Sequence, residues 1–207
     1  DALEIGAGIL GTGGGGNPYL GKLIARRFVE EGARIEIVDP DEVPDDAVVV
    51  SVGGMGSPTV SIERLRRADE SVRALRALER HTGTRVTHLV PNEIGGSNST
   101  TPMVVAAQCG LPVIDGDGMG RAFPELQMET FVMYGVTPTP AALCNHHGHI
   151  AIFDAIDDAT TLERYARAVT IQMGGSAGYA FPLMTGRQTR QTVIRGTLSL
   201  RGSTRPA

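Results

Sequence analysis

The sequence predicts an α/β protein: a mostly parallel sheet, with Gly-rich loops at the carboxyl edge of its strands and an antiparallel hairpin added to it. Three observations carry this. Short β-branched runs alternate with helical periodicity, which is the grammar of βα units. The residues directly after several strands are Gly, Ser, Asn, Asp or Glu. Two apolar runs, 141–145 and 149–156, flank a turn at His146, His147 and Gly148. A chain of 207 residues suits one core, so residues 1–200 read as a single α/β domain and 201–207 as a frayed tail.

The elements follow in order. Strands are expected at 34–38, 47–52, 86–90 and 112–115. A helix over 18–31 has Asn17 as its N-cap, Pro18 at the first position and Gly32 as its stop. A second, over 60–81, places Ile62, Leu65, Val72, Leu75 and Leu78 on one face. A third, over 102–109, is almost wholly apolar and is expected to be buried. After the hairpin, a helix over 160–173 leads into a second Gly-rich turn at 174–178.

Composition narrows the function. A net charge of -4 offers no broad basic surface, so nucleic acid is not an expected partner. Lys22 is the only lysine, which leaves Schiff-base chemistry a single candidate. No apolar run approaches the ~20 residues that span a bilayer, so no membrane association is expected. Cys109 and Cys144 form neither a disulfide framework nor a CxxC motif, which fits a reducing, cytoplasmic setting.

Several motifs compete. Gly6-Ala7-Gly8-Ile9-Leu10-Gly11 satisfies G-x-G-x-x-G, but only residues 1–5 are available for the strand that must precede it. Gly16 to Leu23 nearly matches a P-loop, yet Leu23 replaces the magnesium-binding hydroxyl and Pro18 removes an N–H. The second is rejected as a nucleoside-triphosphate site; phosphate or nucleotide binding through Gly11 to Gly16 stays open as a third reading, and the cofactor is left open. His146, His147 and His149 tempt a metal assignment, but a polar hairpin tip explains the same letters and no metal ligand is assigned. Cys144 reads as a small core residue rather than a nucleophile.

Two constellations remain. Gly53 to Thr59 and Gly95 to Thr101 share the pattern GGxxSxT, each between a strand and a helix, where free N–H groups and hydroxyls can meet a ligand. Asn92 and Glu93 follow one strand, and Asp115, Asp117, Arg121 and Glu125 follow another. Carboxylates beside an arginine can supply a base, an acid and a fixed positive charge, which water attack on an unsaturated carbon needs. A salt-bridged loop network is the other reading of the same residues.

Four motifs in order carry a resemblance: Gly11-Thr12-Gly13-Gly14-Gly15-Gly16-Asn17-Pro18-Tyr19, Val52-Gly53-Gly54-Met55-Gly56-Ser57-Pro58, Pro91-Asn92-Glu93-Ile94-Gly95-Gly96-Ser97-Asn98, and the stretch from Asp115 to Met128. Through them the chain resembles the N-terminal domain of the S-methyl thiohydantoin desulfurases and their relatives. The resemblance implies hydrolytic desulfuration of a small cyclic amide or thiohydantoin, with methanethiol as the leaving group. It also implies a hydantoinase or oxoprolinase partner, and a β-rich C-terminal domain that this chain is expected to lack. On this reading Glu93 or Asp117 activates water, with Asp115 and Arg121 beside them. Gly13, Gly14, Gly15 and Gly16, with Gly53 and Gly54, form an N–H nest that holds developing negative charge, while Asn92, Asn98 and Arg121 orient ring carbonyls and nitrogens; Thr12, Asn17, Ser57 and Glu125 are further expected to bind the substrate. The alternative is a non-catalytic subunit that binds a metabolite or a partner. A domain with so many glycine loops is also expected to self-associate.

Overall fold

The computed structural model describes residues 1–11, 14–64 and 67–199. Four strands make the parallel half of the sheet: β1 (Ile37–Val38), β2 (Val48–Gly56), β3 (His88–Pro91) and β4 (Val113–Ile114), in the order β1-β4-β3-β2. These are the four strands expected from the β-branched runs. The predicted hairpin is present as β6 (Ala141–Cys144) and β7 (Ile150–Phe153), paired antiparallel.

What joins the two halves is β8 (Ser176–Thr185), which runs antiparallel to both β2 and β6 and completes the order β1-β4-β3-β2-β8-β6-β7. The sequence analysis missed this strand because Gly178 and Pro182 interrupt its pattern, and both residues ordinarily weaken a central strand. Gly178 is required where it lies: a Cβ there would stand 2.5 Å from the backbone nitrogen of Ser71. A separate two-stranded sheet pairs β5 (Gly116–Asp117) with β9 (Ile194–Arg195), and it too escaped the periodicity because each strand has only two residues.

The helices follow local rules. α2 (Pro18–Glu30) is capped by Asn17, whose Oδ1 accepts from the Tyr19 N–H at 2.9 Å. α5 (Thr101–Cys109) ends on Gly110 in the left-handed region, as α4 (Glu70–Thr82) does on Gly83. α7 (Ala159–Gln172) matches the expected helix within one residue at each end.

Two expectations are corrected. The single helix over 60–81 is two, α3 (Pro58–Glu63) and α4: Arg64, which ends the first, has an extended backbone, and Ala68, before the second, takes φ +67°. Leu65, assigned to that helix face, lies outside the described residues. The G-x-G-x-x-G segment is itself helical: α1 (Ala2–Leu10) contains Gly6 and Gly8, so the strand-turn geometry of a dinucleotide fingerprint is absent there.

The core lies on both faces of the sheet. Val50, Val52 and Leu89 pack with Leu75 and Leu78 of α4 and Val105 of α5. Truncating Leu75 or Leu78 to Ala is expected to cost about 2–5 kcal/mol. A second cluster joins Leu143, Tyr179 and Phe181 to Leu162 and Ala166 of α7. Sheet register positions the site. β3 pairs with β2 only as far as Val52↔Pro91, while β2 continues along β8 through Gly53↔Tyr179 and Gly54↔Gly178. A crevice opens where β3 stops and β2 goes on.

Candidate functional site

The crevice is a cleft of about 220 Å³ between the glycine segment 14–16, the end of β2, the loop after β3 and residues 123–126. Glu93 is the second residue after β3 and is 2% exposed. Its Oε1 accepts from Asn98 Nδ2 at 2.7 Å and its Oε2 from the Phe123 N–H at 3.0 Å. Burial first, and the charge of Asp117 with it, outweighs these two bonds and pushes its carboxyl up to about 7.

Asn98 belongs to the second GGxxSxT segment, Gly54 to the first, and the two meet. Asn98 Oδ1 accepts from the Gly54 N–H at 2.8 Å, and its Nδ2 donates to the Gly54 carbonyl at 3.1 Å. Asn98 therefore ties the end of β2 to Glu93, and the Gly54 N–H, expected to face a ligand, is already used. Gly14, Gly15 and Gly16 line the cleft. The Gly15 carbonyl accepts from both the N–H and the hydroxyl of Ser97, which docks the glycine segment on the turn after β3. Gly15 and Gly16 both take positive φ, at +77° and +76°.

Asp117 sits behind this wall on β5 and is fully buried. One oxygen, Oδ2, accepts from the N–H groups of Ile94, Met119 and Gly120 at 3.0, 3.1 and 2.7 Å. Burial outweighs these bonds and raises its carboxyl to about 6. Asp117 is the hub that holds the loop after β3 against the loop after β5; it does not line the cleft.

The remaining predicted residues divide. Glu125 and Asn92 line the cleft. Asp115 does not: its Oδ1 accepts from the N–H groups of Leu198 and Ser199 at 3.0 and 3.1 Å and anchors the turn after β9. Arg121 is exposed, with its guanidinium 5.8 Å from the Phe123 ring centre, and is not part of the cleft wall. Asn17 is occupied as the cap of α2, and Ser57 pairs its hydroxyl with that of Thr59 at 2.6 Å. Gly53 underlies the site rather than lining it: a Cβ there would stand 2.6 Å from the Tyr179 hydroxyl and 2.7 Å from Asn92 Oδ1. Thr12 and Gly13 lie outside the described residues.

Three site residues were not anticipated. Arg167, on α7, brings a cation to the cleft wall, paired with the buried Glu163 and donating to the Pro124 carbonyl at 2.9 Å. Its signal was the Glu163-Arg167 spacing of one helical turn. Tyr179 lines the cleft from β8, the strand that the pattern concealed. Glu129 is fully buried just before α6 (Thr130–Met133), one residue past the last motif quoted above. Burial, then the charges of Glu93 and Asp117, hold the Glu129 carboxyl well above the usual range. Burial first, and then the negative charge of the neighbouring carboxyls, raises the Tyr179 phenol well above its ordinary value. Among the described residues, Asn92 Oδ1, Asp117 Oδ1, both Glu129 oxygens and the Tyr179 hydroxyl have no hydrogen-bond partner. Of these residues, Asn92 and Tyr179 line the cleft.

The histidine-rich turn is a hairpin tip. Asn145 Oδ1 accepts from the N–H groups of His147 and His149 at 3.0 and 2.9 Å, and His146 Nδ1 lies 2.8 Å from an Arg64 nitrogen. Among the described residues no group of three or more His, Cys, Asp or Glu side chains is arranged to hold a metal ion. No helix among them is long and apolar enough to cross a membrane.

Fold and site together define a mixed α/β protein with buried carboxyls beneath a glycine-walled cleft. The chain belongs to the S-Me-THD-like family: residues 1–155 match its N-terminal domain and residues 156–203 its C-terminal domain. The second match takes in α7, β8 and α8 (Gly186–Thr192), so the family's domain boundary runs through the seven-stranded sheet. Among solved structures, a crystal structure of a protein from Chromobacterium violaceum is similar, with 32% identity and a TM-score of 0.81. That similarity covers 97% of this chain and 57% of the other, so the chain spans little more than half the length of that relative. No curated protein matches the chain.

Proposed function

We propose that the cleft hydrolyses S-methyl thiohydantoins or closely related small cyclic amides, with Glu93 as the base that activates water. The observation that carries this reading is Glu93 itself. It is a carboxyl at the cleft wall, held at both oxygens by neutral donors and raised by burial to about 7, so that it can take and return a proton near neutrality. Asp117, used three times over by backbone N–H groups, is better suited to scaffolding than to proton transfer.

In the proposed step, Glu93 takes a proton from water as the oxygen bonds to the ring carbon bearing the S-methyl group. Negative charge that develops on the ring is met by the N–H groups of Gly15 and Gly16, the Gly14 N–H being donated to the Gly11 carbonyl. The carbon–sulfur bond then breaks as the hydroxyl proton of the adduct passes to the ring nitrogen and the new carbonyl forms, and the proton held by Glu93 leaves on sulfur as methanethiol. One water is consumed, and nothing is oxidised or reduced. The test is methanethiol release from an S-methyl thiohydantoin by the wild-type chain and by Glu93→Gln. Release that fails in the variant supports the reading; equal release by both overturns it.

A further inference from the structure

Asn92 Oδ1 is an acceptor, the Tyr179 hydroxyl is a donor held in its protonated form, and neither has a partner among the described residues. Both side chains are more than nine-tenths buried and both line the cleft. They converge on the same face of Gly53, where even a methyl group would be 2.7 Å or less from each. Leaving two buried polar groups unmet is unfavourable, a cost that a bound ligand would remove.

The geometry points to Asn92 and Tyr179 as a two-point clamp that reads the cis-amide edge of a ring, Asn92 Oδ1 accepting its N–H and the Tyr179 hydroxyl donating to the adjacent C=O. In a small ring these two groups are forced onto the same side. In an open-chain secondary amide the trans geometry sends them to opposite sides, so one clamp cannot satisfy both. The pair thus selects lactams, cyclic ureides and hydantoins over linear amides and peptides. The side chains act by positioning, and the clamp depends on the cleft being the substrate site, as proposed above.

The test is calorimetric titration of the full chain with three probes: hydantoin, hydantoin methylated on both ring nitrogens, and the open-chain N-acetylglycine N-methylamide. Hydantoin is expected to bind at least about tenfold more tightly than either of the others, the factor one lost hydrogen bond commands. Asn92→Ala is expected to bind hydantoin and its methylated form alike, and Tyr179→Phe to weaken hydantoin about tenfold. Circular dichroism spectra that match that of the wild type serve as the folding control for both variants. Failure to bind hydantoin, equal binding of hydantoin and its methylated form by the wild type, or selectivity that survives Asn92→Ala would overturn the clamp. Methanethiol release measured on the same samples separates the two ideas: selectivity without release removes the desulfuration reading alone, and release without selectivity removes the clamp alone.

Discussion

Gly53 and Tyr179 face each other across the β2–β8 pair, and the phenol occupies the space that a side chain at position 53 would need: its hydroxyl lies 2.6 Å from the place of a Cβ. Gly53→Ala therefore drives a methyl group against both Tyr179 and Asn92. It is expected to destabilise the fold by about 1–3 kcal/mol, read as a lower denaturant midpoint with an unchanged slope.

Glu93 is expected to impose a pH dependence on catalysis. A base must be ionised to act, so kcat/KM is expected to rise with pH through an apparent value of about 7. Glu93→Gln is expected to lose about a hundredfold or more in rate across the whole range.

The same carboxyl affects stability. Its folded value is raised from 4.5 to about 7, so the unfolded chain releases its proton first. Stability is therefore greatest below about pH 4.5 as far as this group is concerned, and falls between there and about pH 7 by an amount on the order of 3 kcal/mol. Urea titrations at several pH values are expected to show a shallower fall in Glu93→Gln than in the wild type.

Glu129 gives a related prediction in a residue with no donor near its carboxyl among the described residues. Burial penalises its ionised form, and Glu93 and Asp117 add to the penalty. Glu129→Gln removes the titrating group, so the variant is expected to melt at a higher temperature than the wild type at pH 8, with the gap narrowing as the pH falls toward 5. A variant that melts lower at pH 8 would show that the carboxylate is the form the fold requires.

Asp117 is expected to separate two substitutions. Asp117→Asn keeps a carbonyl oxygen that can accept from Ile94, Met119 and Gly120, whereas Asp117→Ala leaves three buried N–H groups unmet. The alanine variant is expected to lose about 3 kcal/mol or more, and the asparagine variant much less, by chemical denaturation.

How much of this was legible depended on the range of the signal. The parallel strands, α2, α5, α7 and the hairpin announced themselves through local periodicity and caps, since β-branched runs and Asn17-Pro18 act over a few residues. β8 did not, because its stability comes from strands on either side, which override a Gly and a Pro that locally argue against it. At the site, the type and chain position of Asn92, Glu93, Asn98 and Glu125 were visible, but their division of labour was not. Only folding shows that Asp115 serves the turn after β9, that Asp117 braces two loops, and that Arg167, more than forty residues beyond Arg121, supplies the cation at the cleft. Glu129 carried no local mark at all: its importance is burial, which depends on the whole fold.

The position of β8 also has a bearing on biosynthesis. On the ribosome, β2 is made well over a hundred residues before its antiparallel partner, and until residue 185 has emerged it shows nascent-chain chaperones an unpaired edge rich in valine. A fragment cut at the family's domain boundary would retain that edge permanently and would be prone to self-association through it. Expression of this protein in pieces is therefore best divided somewhere other than residue 155.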